Sequence, residues 1–301
     1  MQNIHKNIKP DAADFRSVAR ALTLVENDLD GADALLKRLF FNKDVPVIGI
    51  TGPPGAGKST LVNALIGNLL TKGFKIAVLA IDPTSPFNFG SLLGDRIRMN
   101  SYFNHPDVFI RSLATRGSLG GLSAKTIEMT DVLRAAGFDY ILVETVGVGQ
   151  SEVEIAGLAD TTLLVLVPES GDEIQHIKSG LMEIADAFII NKADRKGADL
   201  FANNLKKITK KNEADLPVFK TIASTGEGIN EVAEFILTST HSNSNKKELL
   251  LAEKAYQVIR HKRMVDVNKK QLRRAISEAM LAPGFNLYSF AEQYAAEIRH
   301  S

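Results

Sequence analysis

The sequence predicts an α/β fold, in which a mostly parallel sheet carries helices on both faces. Short apolar segments alternate along the chain with segments whose apolar residues recur at helical spacing. This alternation favours parallel strands, because each connecting helix crosses over the sheet between two of them. A glycine-rich loop, residues 52–60, also lies between an apolar strand pattern at residues 45–51 and a helical pattern that begins at Leu61. The order strand, loop, helix is typical of the first unit of such a fold.

The glycine-rich loop has the pattern G-x-x-x-x-G-K-[ST], with Lys58 and Ser59 at its end. Glycines allow successive backbone N–H groups to curl around phosphate oxygens, and the helix N-terminus adds partial positive charge. We expect Lys58 to reach the β- and γ-phosphates and the hydroxyl of Ser59 to ligate Mg²⁺. The pattern therefore predicts a P-loop NTPase. The expected nucleotide contacts in this loop are Gly55, Ala56, Gly57, Lys58, Ser59 and Thr60.

Composition argues against several function classes. The 301 residues carry a net charge of +1, so no charge bias indicates a nucleic-acid or membrane partner. The chain has no cysteine, which excludes disulfides and thiolate metal sites and fits a reducing cytosol. No apolar run is long enough to span a bilayer, and the N-terminal residues lack the apolar core of a signal peptide. We therefore expect a cytoplasmic protein.

Residues 1–44 predict an N-terminal helical extension ahead of the first strand. Apolar residues between Phe15 and Val25, and again between Ala32 and Leu39, each follow one helical face, and Gly31 lies in the break. The two segments predict a helical hairpin. Such a hairpin either packs as a cap on the main domain or docks a partner.

The P-loop domain is predicted to span residues 45–240, and several of its strands end in polar residues. The further apolar runs are residues 75–82, 108–113, 140–144, 161–167, 187–191 and 218–222. Asp82, Glu144 and Asn191 close three of these runs. Ligands of parallel sheets bind beyond the carboxyl ends of the strands, so we expect these three side chains at the ligand site.

The remaining residues, 241–301, predict a C-terminal helical arm. Residues 246–281 contain no Pro or Gly and predict one long helix, and residues 287–299 predict a last helix. An apolar stripe that includes Leu249, Tyr256 and Ile259 favours packing or dimerisation. Basic residues outnumber acidic ones over residues 246–274, so a surface for an acidic partner is the alternative.

The run Asn191-Lys192-Ala193-Asp194 indicates guanine as the base. The carboxylate of Asp194 would accept hydrogen bonds from N1–H and the 2-amino group of guanine, and adenine offers neither donor. A polar group left unpaired in this way costs on the order of 1–3 kcal/mol. Asn191 would approach N7 and O6, and Lys192 would lie along the base plane. In the loop after the next strand, which contains Ser224 and Thr225, a backbone N–H would meet O6.

The run Glu144-Thr145-Val146-Gly147 has the position of a Walker B acid and a glycine that senses the γ-phosphate. Glu144 would act on Mg²⁺ or its waters. Val148 follows where many GTPases place a glutamine that orients the attacking water, so we predict slow intrinsic hydrolysis that a partner accelerates. Arg98 is either a functional residue, as a charge near the γ-phosphate or a switch contact, or one half of a surface salt bridge.

Three longer sequence motifs accompany the nucleotide-binding motifs. They are residues 82–86 with 94–99, residues 109–117 with 119–121, and residues 143–152. In these motifs the chain resembles the MeaB/ArgK family of P-loop GTPases, the G-protein chaperones associated with methylmalonyl-CoA mutase. The match is close over residues 45–230 and weaker in the hairpin and the arm. One departure is Ile222-Ala223-Ser224-Thr225, where the family more often has Thr-Ser-Ala. A backbone contact to the base would survive that change.

The resemblance implies a GTPase that gates delivery of adenosylcobalamin to an acyl-CoA mutase and protects that enzyme. It also implies a homodimer held partly by the C-terminal helices. A switch that senses the mutase corresponds to residues 169–178, with Gln175 and Lys178 as the candidate contacts. The residues that match the family's Mg²⁺ positions are Ser59, Asp82, Asp95 and Glu144, and the candidate catalytic residues are Lys58, Asp95, Arg98 and Glu144. The cobalamin motif D-x-H-x-x-G is absent, as in a stand-alone chaperone.

Two functions of other classes remain as alternatives. A GTPase that delivers nickel or zinc would use the same fold, although the chain has no cysteine and its histidines show no ligand spacing. These histidines are His5, His105, His176, His241, His261 and His300. A kinase of a transport component, which the older name ArgK suggests, is the second alternative. No acceptor site for such a kinase is recognisable in the sequence.

Overall fold

The computed structural model describes residues 8–82, 101–114, 124–145, 155–169, 184–211, 216–239, 244–264, 266–281 and 285–300. The chain divides into two compact units, Met1–Leu251 and Ala252–Ser301. Across the ranges just given, none of the helices combines the length and the apolar character needed to cross a membrane.

The first unit is built on a parallel sheet. Its strands are β1 (Val47–Thr51), β2 (Ile76–Asp82), β3 (Val108–Ala114), β4 (Tyr140–Glu144), β5 (Thr161–Leu166), β6 (Ala187–Asn191) and β7 (Val218–Thr221). They form one seven-stranded sheet in the order β3-β2-β4-β1-β5-β6-β7, and all neighbouring pairs are parallel. Every residue of β1, β4, β5 and β6 is buried, as expected for strands covered on both faces. The predicted α/β fold is confirmed.

Helices cover both faces of this sheet. They are α1 (Phe15–Glu26), α2 (Ala32–Leu36), α3 (Lys58–Thr71), α4 (Ala124–Ala136), α5 (Ala198–Lys211) and α6 (Ile229–Ser239). Ile48 of β1 belongs to the core that α3 and α6 build on one face. Its neighbour Val47 belongs to the core that α1 and α4 build on the opposite face. Successive strand residues thus point to opposite cores, which explains why these strands are apolar throughout.

The N-terminal hairpin packs against the sheet as part of its core. The side chain of Asp14 caps α1 by accepting a hydrogen bond from the N–H of Arg16 at 3.0 Å. The ring of Phe15 lies 5.6 Å from that of Phe109 on β3 and 6.0 Å from that of Phe138. Such ring pairs stabilise the contact beyond the burial of their area. The hairpin therefore has the packing role that its apolar faces predict.

The C-terminal residues form α7 (Ser244–Arg263), α8 (Lys269–Ala279) and α9 (Leu287–His300). The prediction of one helix over residues 246–281 is wrong, because α7 ends at Arg263 and α8 begins at Lys269. Asn268 caps α8. Its side chain accepts a hydrogen bond from the N–H of Gln271 at 3.3 Å, and its carbonyl accepts one from the N–H of Leu272 at 2.8 Å. An asparagine can start a helix without any Pro or Gly before it.

Candidate nucleotide site

The glycine-rich loop turns between the end of β1 at Thr51 and the start of α3 at Lys58. Gly52 has a φ of +141°, and a Cβ there would lie 2.0 Å from the carbonyl oxygen of Val165. Gly57 has a φ of +84°, and a Cβ there would lie 2.4 Å from Nδ2 of Asn191. Both positions therefore require glycine, because any side chain would meet backbone strain and overlap. The loop lies against β5 and the end of β6.

Lys58 and Ser59 are buried at the start of α3, with 6% and 4% of their surfaces exposed. Nζ of Lys58 donates hydrogen bonds to the carbonyl oxygens of Gly52 at 2.8 Å and Pro53 at 3.0 Å. Oγ of Ser59 donates to Oε1 of Glu144 at 2.6 Å, and Glu144 is itself 5% exposed. The structure thus brings an ammonium, a hydroxyl and a carboxylate together at the glycine-rich loop.

Two threonines that the sequence reasoning did not single out fix the ends of the neighbouring strands. Thr145 follows β4, and its N–H donates to the carbonyl of Ile50 at 3.0 Å. Its hydroxyl donates to the hydroxyl of Thr51 at 2.9 Å, and both side chains are buried. The pair couples the residue before the loop to the residue after Glu144. One threonine ends β1 and another directly follows β4, and this was the available signal in the sequence.

Asn191 joins the predicted base-recognition motif to the glycine-rich loop. Its Nδ2 donates to the carbonyl of Ala56 at 2.9 Å, and its Oδ1 accepts from the N–H of Ala223 at 3.1 Å. Lys192, with a φ of +57°, donates from Nζ to the carbonyl of Gly55 at 2.7 Å. A positive φ in a lysine is uncommon and marks a backbone held in place by its surroundings. Both residues of the predicted motif therefore contact the glycine-rich loop.

A cavity of about 250 Å³ opens beside this motif. It is lined by Gly57, Thr60, Asn191, Lys192, Asp194, Arg195, Ile222, Ala223 and Ser224. The loop after β1, the residues after β6 and the loop after β7 all contribute, so residues far apart in sequence meet there. Asp194 is exposed at this cavity. Arg195, Ile222 and Ala223 also line it, although the sequence reasoning did not select them.

The loop after β7 leaves one backbone N–H without a hydrogen bond to any described residue. The N–H of Ala223 is bonded to Asn191, and the N–H groups of Thr225 and Gly226 both donate to the carbonyl of Ile222 at 3.0 Å. Within the described part of the chain the N–H of Ser224 has no such partner. Ser224 lines the cavity, whereas Thr225 is not among its lining residues.

An ion pair lies next to the base-recognition motif. NH1 of Arg195 is 2.7 Å from Oε1 of Glu169, which follows β5 by three residues. The hydrogen bond from Arg195, with the further attraction of Lys192, holds the pKa of Glu169 below its ordinary value. Glu169 is therefore ionised at neutral pH, and Arg195 has a charged partner. Sequence spacing alone gave no sign of this pair.

Some of the predicted site residues are not covered by the described ranges. Asp95, Arg98, Gly147, Gln175 and Lys178 lie outside them. Asp82 ends β2 as predicted, but its side chain also lies outside what is described.

Comparison with solved structures supports the same architecture. A structure described as LAO/AO transport system kinase has a TM-score of 0.67, with 24% identity over 96% of this chain and 95% of that one. HypB from Helicobacter pylori, solved in complex with nickel, has a TM-score of 0.50 and 19% identity, over 77% of this chain and 96% of that one. At these identities the similarity shows the fold alone.

Comparison with known sequences goes further. A Pyrococcus horikoshii protein whose name describes it as a GTPase is 49% identical over 249 residues, which are 80% of this chain and 78% of that protein. The GTPase ArgK of Escherichia coli is 43% identical over 183 residues, 59% of this chain and 55% of ArgK. The fused isobutyryl-CoA mutase of Geobacillus kaustophilus is 38% identical over 231 residues, 71% of this chain but 21% of that protein.

The parallel sheet, the phosphate-binding loop and the GTPase relatives together define a P-loop GTPase, an enzyme that hydrolyses GTP. The family described as methylmalonyl Co-A mutase-associated GTPase MeaB matches residues 18–280, and the chain belongs to this family. The resemblance seen in the sequence is therefore confirmed.

Proposed function

We propose that this protein is a GTP-hydrolysing chaperone that gates adenosylcobalamin loading of methylmalonyl-CoA mutase, or of a related acyl-CoA mutase, and protects that enzyme. The observation that carries this proposal is the fused isobutyryl-CoA mutase, in which a segment similar to 71% of this chain forms 21% of the protein. A segment that is joined covalently to a mutase stays near it at high effective concentration. We expect the present chain to act on its mutase by binding to it.

The proposed nucleotide pose follows the two halves of the site. The amide groups of the loop and Lys58 would hold the phosphates, and Lys58 would exchange its bonds to Gly52 and Pro53 for phosphate oxygens. Asp194 would accept from N1–H and the 2-amino group of guanine. Ser224 lines the same cavity, and its N–H, which has no partner among the described residues, would donate to O6.

The residues present suit Mg²⁺. Oγ of Ser59 and Oε1 of Glu144 are 2.6 Å apart, buried, and adjacent to the phosphate-binding loop. Mg²⁺ prefers such oxygen ligands and usually takes only one or two carboxylates from the protein. When bound, the ion would neutralise charge on the β- and γ-phosphate oxygens. Asp82 and Asp95 are further predicted residues of this Mg²⁺ site.

Hydrolysis is proposed to be slow without a partner. The protein would position GTP through the loop and through Asn191, which contacts Ala56 and Ala223 together. Val148 has no side-chain group that could orient the attacking water. Arg98 or a group from the partner would supply the missing orientation or charge, and Gln175 and Lys178 stay predicted as the mutase-sensing contacts.

A homodimer is part of the proposal. The second unit exposes large apolar side chains, among them Met280, Leu281, Leu287 and Tyr288. Apolar surface of this kind is typical of an interaction site. The family resemblance favours a second copy of this chain as its occupant, and light scattering of the purified protein at several concentrations would test it.

The experiment that tests the function measures phosphate release from GTP by the protein alone and with an adenosylcobalamin-dependent acyl-CoA mutase. We expect a slow basal rate that rises with mutase, and loading of cofactor onto the mutase that differs between GTP and GDP. Lys58→Ala should lose both the basal and the mutase-stimulated rate, and Lys72→Ala, directly after the C-terminal end of α3, should keep them. A protein that neither binds the mutase nor changes its cofactor loading would refute the chaperone function and leave the GTPase in place.

A further inference from the structure

Three basic side chains flank the carboxylate that would read guanine. Lys192, Arg195 and Lys196 all lie within two residues of Asp194. Lys192 donates to the carbonyl of Gly55, and Arg195 is paired with Glu169. Within the described ranges Asp194 makes no hydrogen bond or ion pair of its own. Its carboxylate is thus available although cations surround it in sequence.

Arg195 is the strongest competitor for that carboxylate. Asp194 and Arg195 line the same cavity. A guanidinium presents donors in a fork that matches a carboxylate and forms a strong, bidentate pair with it. An Arg195 side chain without another partner would therefore be attracted to Asp194 and would occupy the oxygens needed for guanine.

Glu169 offers Arg195 a different carboxylate. Its carboxylate comes from the segment after β5 and meets NH1 of Arg195 at 2.7 Å. We propose that Glu169 is a positioning residue for guanine recognition, which holds Arg195 and so leaves Asp194 available for the base. This inference rests on the proposed assignment of Asp194 to guanine.

A simple surface salt bridge is the competing interpretation. The Lys72–Glu234 pair provides a matched control, because its charged atoms are 2.6 Å apart and Glu234 is 51% exposed, against 53% for Glu169. Neither Lys72 nor Glu234 lines the cavity. Exposed pairs contribute little to folding stability, so both glutamate variants should fold normally.

The test compares the full-length variants Glu169→Ala, Arg195→Ala, the double variant and Glu234→Ala. Dissociation constants for GDP and IDP are measured by calorimetry, with thermal unfolding as a check on folding. IDP lacks the 2-amino group and uses only one of the two hydrogen bonds to Asp194. We expect Glu169→Ala to raise the Kd for GDP about three- to tenfold, with a smaller change for IDP. Preference for GDP over IDP therefore falls, which a purely structural role would not produce.

Removal of Arg195 should restore binding. The double variant and Arg195→Ala are both expected within about twofold of the wild-type Kd, and Glu234→Ala should be unchanged. The inference is overturned if Glu169→Ala binds like Glu234→Ala, or if the double variant stays as weak as Glu169→Ala. It is also overturned if Arg195→Ala alone causes the same loss, because Arg195 would then contact the nucleotide directly.

Asp194→Asn separates this inference from the function on which it rests. If Asp194→Asn keeps wild-type affinity and preference for GDP, the assignment of Asp194 to guanine fails, and this inference fails with it. If that variant loses them while Glu169→Ala does not, only the role of Glu169 is rejected.

Discussion

The two ends of the proposed nucleotide site are built differently. At the phosphate end, Lys58, Ser59 and Glu144 are buried and lie on a helix start and a strand end of the central sheet. At the base end, Asp194 and Ser224 are exposed on turns that follow β6 and β7. A change at the phosphate end therefore also disturbs packing, whereas a change at the base end should alter recognition with little effect on folding.

One buried amide joins these two ends. Asn191 contacts the carbonyl of Ala56 in the loop and the N–H of Ala223, a residue that lines the cavity. The two ends are thus held at a defined separation, although they belong to segments far apart in sequence. Base selectivity and phosphate positioning are then expected to be separable by substitutions that leave Asn191 in place.

The largest expected effect is that of Gly52→Ala at the phosphate end. The new Cβ would lie 2.0 Å from the carbonyl oxygen of Val165 at a φ of +141°. We expect a loss of stability on the order of 3 kcal/mol or more, together with loss of nucleotide binding. Thermal unfolding and GDP titration measure both.

Gly73→Ala is the control for this substitution. Gly73 has a φ of +82°, but a Cβ there would have no neighbour within 4 Å. Its cost should be limited to backbone strain of roughly 1 kcal/mol, with nucleotide binding retained. Equal effects of the two substitutions would contradict the importance of the Val165 contact.

Lys58→Ala is expected to have the next largest effect. Loss of the ammonium removes the main charge that would stabilise the γ-phosphate during transfer, so hydrolysis should fall by at least about 100-fold. Single-turnover phosphate release measures this loss. Lys72→Ala, directly after the C-terminal end of the same helix, should hydrolyse GTP at the wild-type rate. A Lys58→Ala enzyme with more than a tenth of that rate would refute the role of Lys58.

A smaller effect, confined to the base end, is expected from Asp194→Asn. The Asn amide would place a donor against the 2-amino group of guanine, so GDP affinity should fall about ten- to 100-fold. Xanthine has a carbonyl oxygen at that position, so the affinity for XDP should rise. Asp199→Asn, an exposed change on the nearby helix α5, should alter neither Kd. An unchanged preference for GDP over XDP in Asp194→Asn would contradict the assignment, and an unchanged unfolding temperature is expected in both variants.

Local patterns were sufficient to predict most of the elements and the motifs they carry. Each central strand is covered on both faces, so its apolar run was recognisable without knowledge of its neighbours. The glycine-rich loop and the Asn191 motif have fixed spacing, and the structure places them at the ends of β1 and β6. The break between α7 and α8 was missed because Asn268 was not recognised as a helix N-cap.

Contacts between distant segments could not be predicted, because they depend on strand order and register. Glu169 and Arg195 meet only because β5 and β6 are neighbours in the sheet. Thr51 and Thr145 meet because Ile50 pairs with Glu144 in the register of β1 against β4. No spacing in the sequence specifies which strands are adjacent. The pairing of Arg195 with Glu169 was therefore not predictable from the sequence.

The smallest effect is expected from Thr145→Val, which tests whether the buried phosphate end depends on the hydroxyl pair. Valine keeps the shape but leaves the hydroxyl of Thr51 without the bond that it accepts at 2.9 Å. We expect destabilisation on the order of 1 kcal/mol by urea unfolding, because a buried polar group loses its partner. Thr51→Val combined with Thr145→Val should recover much of that stability, since two apolar groups of the same shape replace the pair. A double variant less stable than either single variant would show that the hydroxyls make stabilising interactions other than their bond to each other. Recovery of stability without recovery of GTP hydrolysis would show that the pair positions the residues after Glu144, in addition to stabilising the sheet.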